Sequence, residues 1–445
     1  MNETARLAAR VASADYGAIP ENAIEASKQA LLDFIGVTVA GMEEPLARIL
    51  REDAADQGGN PQATIIATGE RGSVQQAALI NGSAGHAHDY DDVLMAMSGH
   101  PTVPVAPVVL ALAEHHGLSG ADVIKAFCTG VDAESIISRF AGSSHYQQGW
   151  HSTGTLGSFG AAAAAAVLMG LDDQQTARAL GIAGTQAAGL KSQFGTMCKP
   201  LHAGHAAATG TQAAALAARG FTSRENILEV EQGFIDTQSS SADEKKFERA
   251  LSQPAYTQDI CFKYHAACYM THSAIEATAN LCERNAFDPN QITSVTVQVD
   301  PGHFRVCNIQ EPASGLEAKF SLRFTVAMTL AGVDTSSIDI FTDDLTQDPQ
   351  LVKFRDLVSV VAHESPNPET IVTVHTAEGE THSEAFNVAI PMTDLDQQWV
   401  KLERKFRALV IPRLGAERTN ELVDLCHRLD KMDDLTPLFD ALTKH

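Results

Sequence analysis

Apolar residues recur at helical spacing through the first half of the chain. Ile24, Leu31, Phe34 and Ile35 share one face of a helix that begins near Pro20 and ends near Gly41. The region 62–67 is predicted to be a short extended piece. The same apolar pattern predicts helices over residues 3–14, 43–57, 74–87, 103–115, 119–138, 153–170, 173–188 and 200–219.

The pattern changes after about residue 220. The polar stretch 232–245 is predicted to be a loop. Alternating or β-branched runs then predict strands over 292–299, 357–362, 371–375 and 381–386, with a helix over 316–331 between them. Helical spacing returns over 395–410, 417–429 and 435–442. The chain is therefore predicted to be mainly α, with an all-helical domain (1–260 plus 392–445) and an inserted, smaller α+β domain (261–391).

The stretch 149–218 combines two features. Runs of alanine and glycine, including Ala161 to Ala166, let helix backbones approach closely, which predicts helices at the centre of a packed bundle. Cationic and imidazole side chains lie where these helices begin: His151, Lys199, His202 and His205. Helix N-termini favour anions, so this stretch predicts a place where an anion is held and a proton is moved.

Composition narrows the classes of partner. The chain has 445 residues, 44% hydrophobic and 20% charged, with a formal net charge of −23. Nucleic acid and anionic membranes need a basic face, so neither is expected as a partner, whereas a small anion in a local basic pocket is. The seven cysteines form no CxxC pair, and the N-terminus lacks the pattern of a signal peptide. We therefore expect reduced thiols and a cytoplasmic protein.

Several motifs are candidates for a metal site, a cofactor site or a catalytic nucleophile. His86 and His88 precede Asp89, Asp91 and Asp92, as in some metal sites, but two residues apart on a helix point to different sides. We expect neither metal nor cofactor there, and Asp91 is the candidate for orienting a substrate hydroxyl or a catalytic histidine. The chain has no dinucleotide-binding, P-loop or GxSxG motif. A free cysteine such as Cys198 is more often an inert packing residue than a nucleophile.

A set of cations and imidazoles remains beside proline and glycine at element boundaries. Abstracting a proton from the carbon next to a carboxylate needs such a set, because a cation offsets the carboxylate charge and a near-neutral histidine takes or returns the proton. The members of the set are His100, His151, Lys199, Lys263, His265, His272 and Arg323.

At these residues the chain resembles the MmgE/PrpD family over nearly its whole length. The shared motifs include Leu32-Asp33, His88 to Asp92, Gly99-His100-Pro101, Gly149-Trp150-His151, Gly154 to Gly157, Lys199-Pro200, Lys263 to His272 and Glu317 to Ser321. The resemblance implies an all-helical domain, an α+β lid domain, a homodimer, and an active site in the cleft between the domains that needs no metal. The family's active-site positions fall on Asp91, His100, His151, Lys199, Lys263 and Cys268.

The chain departs from the family's branches in the lid. The methylcitrate dehydratase branch has Pro-Ser-Cys-Arg where this chain has Ala266 to Tyr269, so the arginine is absent. The decarboxylase branch has histidine at the position of Cys268 and tyrosine at that of Phe324, which disfavours decarboxylation. The runs 149–151 and 195–197 are closer to the iminodisuccinate epimerase branch.

The resemblance and the residues together favour a lyase that removes a proton next to a carboxylate of a small di- or tricarboxylic acid, with dehydration first. Epimerisation of a C4 imino- or amino-dicarboxylate comes second and decarboxylation third. A carboxylate-binding protein without turnover is the non-enzymatic alternative. We expect the catalytic residues to be Asp91, His100, His151 and Lys199, and the substrate-binding residues to be Thr155, Lys263, Cys268, His272, Arg323 and Phe324.

Overall fold

The computed structural model describes residues 2–285 and 288–443. The chain divides into two compact units, Met1–Phe262 with Thr393–His445, and Lys263–Met392. The first unit is helical and the second combines helices with a sheet, in agreement with the predicted mainly-α class.

Long helices build the first unit. Capping boxes start three of them, at Ser73, Ser119 and Asp172, where each side chain accepts from the third helical N–H. The helices are α1 (Glu3–Ala12), α2 (Glu21–Gly41), α3 (Pro45–Gln57), α4 (Val74–Gly85), α5 (Thr102–His116), α6 (Gly120–Ala141), α7 (Ser144–Gln147), α8 (Ser152–Leu168), α9 (Asp173–Gln186), α10 (Cys198–Ala218), α11 (Phe234–Gln238), α12 (Glu244–Leu251), and, after the second unit, α17 (Leu395–Leu414), α18 (Ala416–His427) and α19 (Thr436–Ala441).

Helices α8 and α10 pack closely at the centre of this unit, as the small residues predict. A Cβ on Gly210 of α10 would lie 2.5 Å from the carbonyl carbon of Ala161 in α8. A Cβ on Gly204 would lie 2.1 Å from the carbonyl oxygen of Leu79 in α4. The extended piece predicted at 62–67 is the strand β1 (Ala63–Thr64), paired antiparallel with β2 (Arg71–Gly72).

The second unit packs helices on a four-stranded sheet. Its strands are β3 (Ile292–Val299), β4 (Val358–Ala362), β5 (Thr370–Thr376) and β6 (Thr381–Phe386), in the order β4-β3-β5-β6. β3 pairs parallel with β4 and antiparallel with β5, and β5 with β6 forms the predicted hairpin. Alternate residues of β3 and β5, such as Val297 and Val372, are buried beneath the helices α13 (Tyr269–Asn285), α15 (Leu322–Leu330) and α16 (Pro349–Leu357). The short helix α14 (Gly315–Ala318) precedes α15 in the chain.

Some predicted elements were wrong. The helix predicted over 316–331 is two helices, because Ser321 adopts an extended backbone and caps α15 through the N–H of Phe324. The predicted loop 232–245 contains α11. The sequence analysis missed α13, whose β-branched Thr271, Ile275 and Thr278 have low intrinsic helix propensity but lie on its buried face. Among the described residues, no helix is both long and apolar enough to cross a membrane.

Candidate active site

The turn after α4 carries the first part of the site. His86 is the C-terminal cap of α4, and Asp89 adopts a left-handed backbone with φ of 52°. Aspartate tolerates that conformation better than most residues, since its short side chain bonds locally. The turn thereby sends the Asp91 side chain inward, where it is 1% exposed, while the Asp89 side chain remains 56% exposed.

Two imidazoles hold Asp91. Nδ1 of His86 lies 2.9 Å from both carboxylate oxygens, and Nδ1 of His100 lies 3.0 Å from Oδ2. A carboxylate only accepts, so His86 donates from Nδ1, and the one hydrogen on Nδ1 of His100 faces both Asp91 Oδ2 and the backbone carbonyl of Asp92, 2.8 Å away. Burial alone would raise the pKa of Asp91, but His100 and His86 outweigh it and hold that pKa well below its usual range. Burial lowers the pKa of His86 to about 4, so this imidazole is neutral beside an anionic Asp91.

His100, Asp89 and Lys199 form the second part of the site. Oδ1 of Asp89 lies 2.7 Å from Nζ of Lys199 and 3.4 Å from Nε2 of His100. Lys199 lies in the first turn of α10, where the helix N-terminus adds positive potential. One carboxylate oxygen is therefore held between an ammonium and an imidazole.

His151 and His202 form the third part. His151 caps α8, is 2% exposed, and its Nδ1 lies 3.0 Å from Nδ1 of His202. Its ring stacks on His86 at 5.7 Å and meets Phe194 edge-on at 5.0 Å. Burial, followed by His86 and His100, lowers the pKa of His151 far below its usual value, and burial also lowers the pKa of His202. Both imidazoles are therefore neutral near pH 7.

A buried lysine, Lys405, stabilises the turn formed by residues 86–92. Nζ of Lys405, on α17, lies 2.5 Å from Oδ1 of Asp33 and donates to the carbonyl oxygen of Tyr90 at 2.8 Å. The ammonium also lies 4.1 Å from the centre of the Tyr90 ring. The next carboxyl, Asp92, accepts from the hydroxyl of Thr102, and its backbone carbonyl accepts from Nδ1 of His100 at 2.8 Å. Burial raises the pKa of Asp92 well above its usual value.

The same turn brings together atoms that could ligate a metal. One ligand-type atom from each of His86, Asp89, Asp91 and His100 lies within 4.8 Å of the others. The carboxylates already have partners, since Lys199 pairs with Asp89 and two imidazoles donate to Asp91. A cation would have to displace these bonds, and the arrangement fits hydrogen bonding better than ligation. Nε2 of His88 lies 3.7 Å from Oε1 of Glu44.

The structure brings the four predicted catalytic residues together and buries the predicted Thr155 just beneath them. The Thr155 hydroxyl lies 2.7 Å from Nε2 of His145 and 3.3 Å from the carbonyl oxygen of His151. Its hydrogen bonds are thus made within α8 and to α7, where they support the His151 backbone.

The other predicted binding residues lie in the second unit. Lys263 and His272 are buried, Cys268 and Arg323 are partly buried, and Phe324 is 0% exposed within α15. Nε2 of His272 donates to the carbonyl oxygen of Ala267 at 3.2 Å, and its ring packs edge-on against Tyr269. Phe324 is a core residue of this unit.

Sequence reasoning missed His86, His202 and Lys405 as parts of the site. His86 was set aside with the metal hypothesis, although its position one residue past a helix of small residues was visible. His202 was named at the start of its helix, with His151 and Lys199, but was not among the predicted catalytic or binding residues. Lys405 gave no signal, since a lysine on an amphipathic helix is usually solvated.

Comparison with known proteins identifies the family of the chain. The MmgE/PrpD N-terminal domain model matches residues 5–247 and the MmgE/PrpD C-terminal domain model matches residues 265–429. The chain is 26% identical to the human cis-aconitate decarboxylase, over 96% of this chain and 91% of that protein. It is also 26% identical to the cis-aconitate decarboxylase of Aspergillus terreus, over 95% of this chain and 92% of that protein.

Proposed function

Because the chain belongs to the MmgE/PrpD family, we propose that it is a lyase that moves a proton at the carbon next to a carboxylate of a small di- or tricarboxylic acid. The observation that carries the proposal is the carboxylate oxygen of Asp89, which lies between Lys199 and His100, beside the neutral His151. A substrate carboxylate entering this site takes the place of Asp89, whose side chain is half exposed and can swing away.

Each residue then has a distinct role. Lys199 pairs with the substrate carboxylate and stabilises the negative charge that develops on it during proton removal. His151 exchanges the proton through Nε2, since its Nδ1 is engaged by His202. His100 is held by Asp91 and serves as the second acid or base. Asp91 and the backbone carbonyl of Asp92 both face Nδ1 of His100, which keeps the hydrogen on that nitrogen and leaves Nε2 for the substrate, as a buried acceptor does for a catalytic histidine.

Elimination of water is the reaction we place first. It needs a base at carbon and an acid at the departing hydroxyl, and His151 and His100 are two separate imidazoles that supply them. Decarboxylation is the second candidate, because the relatives that align over most of this chain are named cis-aconitate decarboxylases. Against it stands Cys268, where the decarboxylase branch has histidine. Epimerisation would use the same two imidazoles on opposite faces of one carbon.

We also propose that Lys263, Cys268, His272 and Arg323 contribute to binding the remainder of the substrate. If Lys263→Ala and Arg323→Ala each raise KM and leave kcat unchanged, this role is supported. An unchanged KM in both variants contradicts it. The homodimer remains a prediction, which sedimentation velocity tests.

The deciding experiment follows proton exchange by NMR in D₂O with citrate, 2-methylcitrate, cis-aconitate and iminodisuccinate. Loss of water, loss of CO₂ and exchange with inversion give different products, so one set of spectra separates the three reactions. Binding without any exchange, seen as a thermal shift alone, supports the non-enzymatic alternative. If no acid in the panel binds or reacts, the carboxylate proposal is wrong.

A further inference from the structure

We propose that His202 relays protons between His151 and water, so that the two imidazoles act as one proton-transfer unit. This inference rests on the proposed role of His151. It starts from the 3.0 Å contact between the two Nδ1 atoms. Two nitrogens at that distance form a hydrogen bond only when one carries a hydrogen and the other does not. The contact therefore fixes one hydrogen between the two rings.

The surroundings hold the rings in this contact. Gly189, with φ of 140°, accepts from the backbone N–H of His151, and a Cβ on it would lie 3.2 Å from Nδ1 of His202 and 3.5 Å from Cβ of His151. A Cβ on Gly154 would lie 3.1 Å from Cβ of His202. Two glycines thus leave room for the pair, and Phe194 closes another side of the His151 ring.

Burial and the neighbouring imidazole and ammonium groups favour the neutral form of both rings. His86, His100 and Lys199 face His151, and Lys199 and His205 face His202. These groups disfavour a lasting imidazolium at either position. His151 is buried, whereas His202 is only partly buried, one helical turn from the exposed His205. A proton that reaches His202 is therefore closer to solvent and does not remain there.

The relay balances in both directions. In one state His151 donates Nδ1–H to Nδ1 of His202, whose own hydrogen is on Nε2. When Nε2 of His151 takes a proton from substrate carbon, its Nδ1 hydrogen moves to His202, and the resulting imidazolium loses its Nε2 proton to water. The pair ends with hydrogens on Nε2 of His151 and Nδ1 of His202, both neutral. That state is the acid form, and the reverse sequence restores the base form.

His202→Asn separates relay from orientation. The asparagine amide occupies the position of Nδ1 and still hydrogen-bonds His151, but it cannot carry a proton onward. For whichever carboxylic acid of the panel is turned over, we expect kcat to fall about ten- to a hundredfold. This loss lies within or below the rate contribution of a positioned proton-transfer group, and KM should stay within about twofold of wild type. Added imidazole should restore part of the lost rate in His202→Ala, whose cavity admits it, and leave wild type unchanged.

His116→Asn is the matched control, since it removes an exposed imidazole at the end of α5 that is not among the groups acting on His151 or His202, and it should not alter kcat. Wild-type kcat in His202→Asn would overturn the relay and leave only an orienting role. A loss in both His202 variants that imidazole does not relieve would overturn it in favour of a structural role. Either result, with active wild type and inactive His151→Gln, leaves the proposed function standing.

A second measurement needs no substrate. In ¹⁵N spectra of histidine-labelled protein, assigned by comparison with His151→Gln and His202→Asn, the pair predicts one Nδ1 bound to hydrogen and the other Nδ1 without it. Hydrogen on both Nδ1 atoms, or on neither, contradicts the shared hydrogen bond on which the relay depends.

Discussion

The buried Lys405 provides a direct test of how the site is supported. Lys405→Met removes the ammonium that lies 2.5 Å from Oδ1 of Asp33, whose side chain is 3% exposed. It also removes the hydrogen bond to the Tyr90 carbonyl in the 86–92 turn. Breaking a buried ion pair by removing one partner typically costs about 3–5 kcal/mol, because the remaining charge keeps its desolvation penalty. We expect a loss of free energy of unfolding of about that size.

The assay is urea unfolding of the full chain, followed by tryptophan fluorescence. Both tryptophans, Trp150 and Trp399, belong to the helical unit, and Trp399 lies on the same helix as Lys405, α17. Lys125→Met is the matched control, because its ion pair with Asp122 is 3.0 Å long but has side chains 24% and 37% exposed. Exposed pairs contribute about 0–1 kcal/mol. Turnover should fall in Lys405→Met and remain unchanged in Lys125→Met.

The double variant Asp33→Leu/Lys405→Met isolates the charge. Replacing both partners of a buried pair by apolar residues is often neutral or stabilising, so the double variant should be more stable than Lys405→Met alone. Equal losses in Lys405→Met and Lys125→Met would refute the reasoning. A double variant no more stable than the single one would show that packing, and not the loss of the ammonium beside Asp33, sets the cost.

Three further predictions concern burial. The pKa of His86 is about 4 in the folded protein and 6.5 in the unfolded chain. The stability that His86 contributes above pH 6.5 should therefore be lost as the pH falls towards 4, by up to about 3 kcal/mol. Urea unfolding of His86→Gln should show a shallower pH dependence than that of wild type. Burial raises the pKa of Cys128 to about 12, so iodoacetamide should label the exposed Cys198 and spare Cys128 in the folded protein, as peptide mass spectrometry reports. Gly204→Ala should lower the free energy of unfolding by about 1–3 kcal/mol or more, seen as a lower urea midpoint, because its Cβ would overlap the α4 backbone, and equal stability to Gly17→Ala would contradict this.

The helices of the first unit could be predicted from the sequence because their signals are local. Capping residues such as Ser73 and Ser119 stand next to the apolar periodicity that they start. The helix α13 could not, since its formation depends on burial against the sheet of β3 and β5, and burial is a property of the folded unit. The helix predicted over 316–331 proved to be α14 and α15 because Ser321 interrupts it and caps α15.

The site shows the same division. His151 and Lys199 were predictable because helix starts with imidazole and ammonium groups are visible in the sequence. The contacts of His86 with Asp91 and of His202 with His151 could not be predicted, because they depend on how the turn after α4 folds and on how α8 lies against α10. The spacing of His86 and His88 even directed attention to a metal, whereas the fold directs His86 to a carboxylate five residues away.

The central claim is that His151 exchanges a proton with the carbon next to a substrate carboxylate. The most direct test is the rate of proton exchange into D₂O for wild type and His151→Gln, on whichever acid of the panel reacts, with thermal unfolding as a check on folding. We predict that His151→Gln keeps its fold and substrate binding but loses exchange by roughly 10²-fold or more. Exchange at the wild-type rate in the folded His151→Gln variant would contradict the account.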